Sequence, residues 1–162
     1  MDTAKIVPRL EKISPEPSLL LDSPTNDEAG KLVDEILPVL VPGLFPDILE
    51  LLQEPSRSWF AKDRESRIGM PLDVVTQKVG GEVGWQKADP LLRRLKDLLG
   101  LNKRDSGPFI LGSKLSFGDL IIVALFEGLR KVASGEHDRL MKYDTSFQEL
   151  YEASKPWTER DD

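Results

Sequence analysis

A chain of 162 residues, 40% hydrophobic and 31% charged, is long enough for one domain with a real core, too short for two of typical size, and neither disordered nor membrane-embedded in composition. Its net charge of −6 argues against nucleic acid as the main partner, because binding by counterion release needs clustered lysine and arginine. The absence of cysteine removes disulfides, thiolate metal sites and a cysteine nucleophile.

In chain order, residues 2 to 13 read as a short helix, and Ser14-Pro15-Glu16-Pro17 then forces an extended connector, since each proline disfavours α conformation in the residue before it. Thr25-Asn26-Asp27-Glu28 has the spacing of a capping box opening a long apolar segment to Leu52. Pro38, Pro42 and Pro46 recur within it at four-residue spacing. Each interior proline removes a helical hydrogen bond at a cost of roughly 3 kcal/mol, so the segment is expected to kink or divide, and a bent helix is predicted. Ser56 can cap the next helix, through Trp59 and Phe60 to Ile68, with Gly69 suited to the left-handed position after it and Pro71 restarting the chain.

Gly80-Gly81 and Gly84 predict a flexible break, after which Asp89-Pro90 offers a cap and first position for a leucine-rich helix ending at Gly100, unless helix begins earlier, near Trp85. Asn102 to Gly107 is polar loop. Ser116 and Asp119 then have capping-box spacing, with Leu115 and Leu120 placed for a hydrophobic staple. The run Leu120 to Phe126 carries no charge until Glu127, which predicts a buried central helix. Gly135 is expected to end this run, and Thr145-Ser146-Phe147-Gln148 offers a further capping box for a last helix around Leu150 and Tyr151. No segment shows strand alternation, so the fold is expected to be all-α, a bundle of about six or seven helices.

Chemistry is sparse. One histidine and no cysteine leave only carboxylates as metal ligands, so no metal site is expected. His137 lies among acids in Gly135-Glu136-His137-Asp138, where solvation accounts for it, and nothing nearby makes it the base of a Ser-His-Asp set. Asp34-Glu35 and Asp161-Asp162 read as surface charge, and no catalytic residue is assigned. Arg93, Arg94 and Lys96 lie among leucines as a solvated helix face. Phe45, Trp59, Phe60, Phe117 and Phe126 read as core, or as the lining of an apolar pocket. The first residues hold no apolar signal-peptide core, and no uncharged stretch reaches spanning length; Ile36 to Leu52 contains Asp47, Glu50 and three prolines. A cytoplasmic protein without a membrane partner is expected.

The turn Phe109-Ile110-Leu111-Gly112, the Ser116-x-x-Asp119 box and the apolar helix after it together resemble the sixth helix of the C-terminal domain of glutathione S-transferases. Trp59-Phe60-Ala61-Lys62-Asp63-Arg64-Glu65-Ser66-Arg67-Ile68-Gly69-Met70-Pro71-Leu72 is similar to the fungal branch of that family, and Tyr151 to Trp157 to its closing helix. The resemblance implies a C-terminal-type helical domain over residues 24–162, preceded in 1–23 by the last helix and linker of a thioredoxin-like domain. It also implies that Asp2 and Thr3 match the acidic and hydroxyl positions that hold the γ-glutamyl end of glutathione, a site usable only if completed. Pro8 would either break a hydrogen bond in that first helix or make it begin near Val7. In the family the residue that activates the thiol lies in the thioredoxin-like domain, and the region of Arg64 and Glu65 lies against the acceptor pocket, although a structural ion pair explains these charges as well.

Two functional expectations follow. One is a glutathione transferase-like protein of fungal secondary metabolism, truncated and with weak or no conjugating activity alone. The other is a non-catalytic interaction or apolar-ligand module, in which an exposed apolar helix face takes a second copy, another protein or a small apolar ligand.

Overall fold

The computed structural model describes residues 3–159, and among these every regular element is a helix. There are eight: α1 (Thr3–Ile13), α2 (Pro24–Leu51), α3 (Ser56–Ile68), α4 (Leu72–Val79), α5 (Gly81–Leu101), α6 (Phe117–Val132), α7 (Ser134–Met141) and α8 (Thr145–Thr158). The two beyond the sequence expectation are α4 and α7, each of 8 residues, little more than two turns and too short for a repeating apolar pattern to stand out. α2 is the spine, packing on α4, α5 and α6, while α6 is covered on its other flank by α7 and α8. One core of leucine, isoleucine and phenylalanine side chains runs through α2, α5, α6 and α8, with Ile36, Leu95, Ile122, Phe126 and Leu150 wholly buried.

α2 stays a single helix through all three interior prolines, so the segment is not divided. Packing overrides the proline cost in an identifiable way. Pro46 has no N–H to give the carbonyl of Pro42, and the Thr76 hydroxyl of α4 donates to that carbonyl instead at 2.8 Å. Close by, α2 and α5 approach at glycine: a Cβ on Gly43 would lie 2.8 Å from the backbone nitrogen of Gly81, and one on Gly84 would lie 2.8 Å from the carbonyl oxygen of Val39. These glycines are packing positions. The expected break narrows to Gly80, the one extended residue between α4 and α5, while Gly84 lies inside α5, which begins at Gly81 and passes through Pro90. Asp89 is therefore no cap; its carboxylate accepts from the Tyr143 hydroxyl at 2.9 Å and pairs with Arg93.

Other helix ends differ from expectation for equally local reasons. α2 starts at Pro24 behind Ser23, whose hydroxyl lies 2.7 Å from that of Thr25, so the Thr25–Glu28 box does not form. α3 starts at Ser56, which gives no cap, and ends as expected at Gly69, whose φ of 80° suits glycine. Gly135 does not end α6, which stops at Val132; the glycine is the second residue of α7. The cap of α8 is Asp144, one residue before the expected threonine, accepting from the Ser146 amide at 3.0 Å. α1 runs from Thr3 through Pro8 without restarting at Val7.

The capping box of α6 is present, and it lies in a dense set of hydrogen bonds. The buried Asp119 carboxylate accepts from the amides of Ile110 (2.8 Å) and Ser116 (2.7 Å) and from the Ser116 hydroxyl (2.6 Å). Burial pushes its carboxyl pKa up, against the opposing pull of those hydrogen bonds. Buried Asn26 of α2 adds a clamp: its carbonyl oxygen accepts from the Gly118 amide at 2.8 Å, while its amide donates to the carbonyls of Leu20 and Leu21. The starts of α2 and α6 and the turn before α6 are thus one sealed network.

Candidate functional site

The residues singled out from sequence do not converge. Phe126 is central core, Phe45 and Phe60 meet edge to face in a smaller cluster with Leu72 and Val75, Phe117 is half-buried at the start of α6, and Trp59 is 66% exposed. The five aromatics line no common pocket. Arg64 stacks over Phe60 with its guanidinium 5.3 Å from the ring centre and lies 3.7 Å from Asp63, while the Glu65 carboxylate accepts from the Leu72 amide at 3.2 Å and so holds the first turn of α4. Arg93, Arg94 and Lys96 pair with Asp89, Glu35 and Asp144, their charges spent on ties between helices and along α5. Asp2 lies outside the described residues. Thr3 opens α1, a helix that packs on none of the others.

His137 is not solvated. It is 8% exposed, and its ring meets that of Tyr151 edge to face at 4.9 Å between centres. Beside it, Glu127 accepts from the Tyr151 hydroxyl at 2.7 Å and takes both arms of the Arg130 guanidinium at 2.9 and 2.6 Å. Arg130 chiefly, with help from Tyr151, holds the Glu127 carboxyl down to about 2, while burial and then the facing carboxylate push the Tyr151 phenol up to about 12. The Tyr143 phenol is also raised, by burial and by Asp89. Neither tyrosine, the chain having two, is set to lose its proton near neutrality.

What the structure does assemble is an apolar groove of about 450 Å3 between α2 and α6. Leu37, Val41 and Ile48 form one wall, Ile121, Ala124 and Gly128 the other, and the buried side chains of Leu44 and Leu125 form the floor. Leu37 is 38% exposed at the rim. The wall on α2 recurs every three or four residues, so one stripe of the helix faces the groove. Sequence pattern alone made α6 buried all round and could not show this open strip, because which stripe α2 leaves uncovered depends on how the helices cross.

Among the described residues no cluster of histidine and acidic side chains could hold a metal ion, and no helix is long and apolar enough to cross a membrane.

An all-α bundle built on a long proline-bearing helix, with a capped and buried sixth helix, defines a class of helical domain that known proteins share. The sequence profile of the glutathione S-transferase C-terminal domain matches residues 30–157, and the chain belongs to that family. Among solved structures, glutathione transferase GSTFuA2 from Phanerochaete chrysosporium matches at 24% identity with a TM-score of 0.76, over 99% of this chain and 66% of its own. Glutathione transferase GSTFuA3 from the same organism matches at 20% identity with a TM-score of 0.59, over 90% of this chain and 64% of its own. This chain thus spans about two thirds of the length of each. No curated protein matches.

Proposed function

We propose that this chain is the helical, apolar-binding half of a glutathione transferase-type protein, with weak or no conjugating activity on its own. Residues 24–162 are the C-terminal-type domain, and residues 1–23 are the last helix and linker of a thioredoxin-like domain. The observation that carries the reading is the α2–α6 groove: a surface of this size and apolarity on the family's helical domain serves binding. The groove offers no acid, base or nucleophile.

Thiol activation points the same way. It requires a group that lowers the thiol pKa or accepts its proton, and the hydroxyls of both tyrosines are already engaged, that of Tyr143 donating to Asp89 and that of Tyr151 to Glu127. Glutathione remains a ligand only through Asp2 and Thr3, in a site that another polypeptide segment must complete. The partners that suit the groove are apolar: a small electrophile of the kind handled in fungal secondary metabolism, or the apolar face of a protein. A cytoplasmic location accompanies this reading.

The test is glutathione conjugation to chlorodinitrobenzene, with retention on immobilised glutathione as a second readout. The uncatalysed rate and no retention are expected. Turnover well above background that disappears in Asp2→Ala would show a working glutathione site and overturn the proposal.

A further inference from the structure

Leu20 has a φ of 52°, and among the described residues it is the one residue other than glycine in the left-handed region. A bulky side chain disfavours that region, so the position is strained and its surroundings must hold it. They do so by hydrogen bonds. The Leu20 carbonyl accepts from the Asn26 side-chain amide at 2.8 Å and from the Ser23 amide at 3.0 Å, and the Leu21 carbonyl accepts from Asn26 at 3.2 Å.

The strained turn serves the start of α6. The first amides of a helix have no partner within it and need acceptors from outside. In α6 the Phe117 amide donates to the Leu19 carbonyl at 2.8 Å, the Gly118 amide to the Asn26 side chain at 2.8 Å, and the Asp119 amide to the Ser116 hydroxyl at 3.4 Å. Only the last of these acceptors belongs to the helix's own cap; Asn26 reaches across 92 positions of sequence.

The same segment is fastened to α1. The Glu11 carboxylate accepts from the Ser18 hydroxyl at 2.6 Å and from the Leu19 amide at 3.1 and 3.2 Å, one bond to each of its oxygens. Since α1 packs on none of the other helices, Glu11 is where it joins the bundle.

We propose that residues 14–23 form a strained bracket: capping of α6 by Leu19 and Asn26 forces Leu20 left-handed, and that turn, grasped by Glu11, sets α1 at one distance from α6. The device is internal to the chain and acts whatever lies against the outer side of α1. Its coupling runs both ways. Pulling α1 out of place draws Leu19 and Leu20 with it and uncaps α6, so a displacement of α1 is felt at the buried Asp119 network. For the reading of Thr3, at the head of α1, as part of a glutathione site, Glu11 and Asn26 become positioning residues. That consequence rests on the reading, and the bracket does not.

The chain has no cysteine, so spin labels can be placed at exposed positions with Arg9→Cys on α1 and Lys131→Cys on α6, and their separation measured by double electron–electron resonance. One narrow distance distribution is expected. Leu20→Gly should keep it, because glycine takes a φ of 52° without strain. Leu20→Pro, with φ locked at about −65°, and Glu11→Ala should each broaden it severalfold, toward the spread of about 15 Å open to a free connector. A second pair within the bundle, Lys87→Cys with Lys131→Cys, should stay narrow in every variant and so report an intact fold. A broad distribution between α1 and α6 in the otherwise unaltered chain overturns the inference, as does a narrow one that survives both Leu20→Pro and Glu11→Ala. Retention on immobilised glutathione is read separately: its absence beside a narrow distribution removes the glutathione reading and leaves the bracket.

Discussion

The two parts of α6 differ in what answers them. At its start every polar group has a partner within the chain: Asp119 with Ile110 and Ser116, Gly118 with Asn26, Phe117 with Leu19. From one to three turns further on, along the strip of Ile121, Ala124 and Gly128, the helix presents apolar surface that no described residue covers. The first region specifies the fold by itself, since buried polar groups tolerate one geometry only. The second shows where a fold stops short of self-sufficiency. One glycine at each place makes the contrast concrete, for a Cβ on Gly118 would press on Asn26, Ile110 and Ala29 at 3.1 to 3.3 Å, and one on Gly128 would touch nothing.

Substitutions that probe this contrast should fall in order of size. Asp119→Ala leaves two buried amides and a buried hydroxyl without an acceptor, and should lower unfolding free energy in urea by about 3 kcal/mol or more. Asn26→Ala should cost about 2 kcal/mol, because it orphans the Gly118 amide and frees the loop at Leu20 and Leu21. Gly118→Ala should destabilise by about 1 kcal/mol through overpacking. Gly128→Ala should stabilise dilute protein by a few tenths to about 1 kcal/mol, the opposite sign for the same chemical change in the same helix. Equal signs for the two glycines would erase the distinction between the regions.

The pH dependence adds a weaker test on the flank of α6 facing α8. Glu127 has a folded pKa of about 2 against an ordinary 4.5. Its depressed value contributes stability that is complete above the unfolded pKa and is lost as pH falls from about 4.5 toward 2. Asp119 has the reverse sign: burial raises its pKa, so its ionisation costs the folded state as pH rises through the ordinary carboxylate range. Tyr151→Phe should therefore shallow the acid loss of stability and cost about 1 kcal/mol at neutral pH, measured by urea titration at a series of pH values.

Legibility followed the range of the interaction. The Ser116–Asp119 box, the left-handed Gly69 and the central run from Leu120 to Phe126 could be read because each is settled within a turn or two of chain. Pro42 and Gly81 could not, since one gains a donor from Thr76, 34 positions away, and the other is set by contact with Gly43. His137 looked solvated among acids because its partner Tyr151 sits on another helix. The family resemblance recovered the bundle. It could announce an exposed apolar face but not which one, and the aromatic residues, the natural suspects, turned out to lie in separate places while the groove is lined by aliphatic side chains and a glycine.

The central claim is that the α2–α6 groove binds apolar groups, and anilinonaphthalene sulfonate titration of dilute wild-type protein against Gly128→Leu tests it most directly. Saturable dye fluorescence in the wild type, reduced severalfold in the variant with the fold intact by circular dichroism, is the expected result. Dye binding that is absent in the wild type, or equal in both proteins, would contradict it.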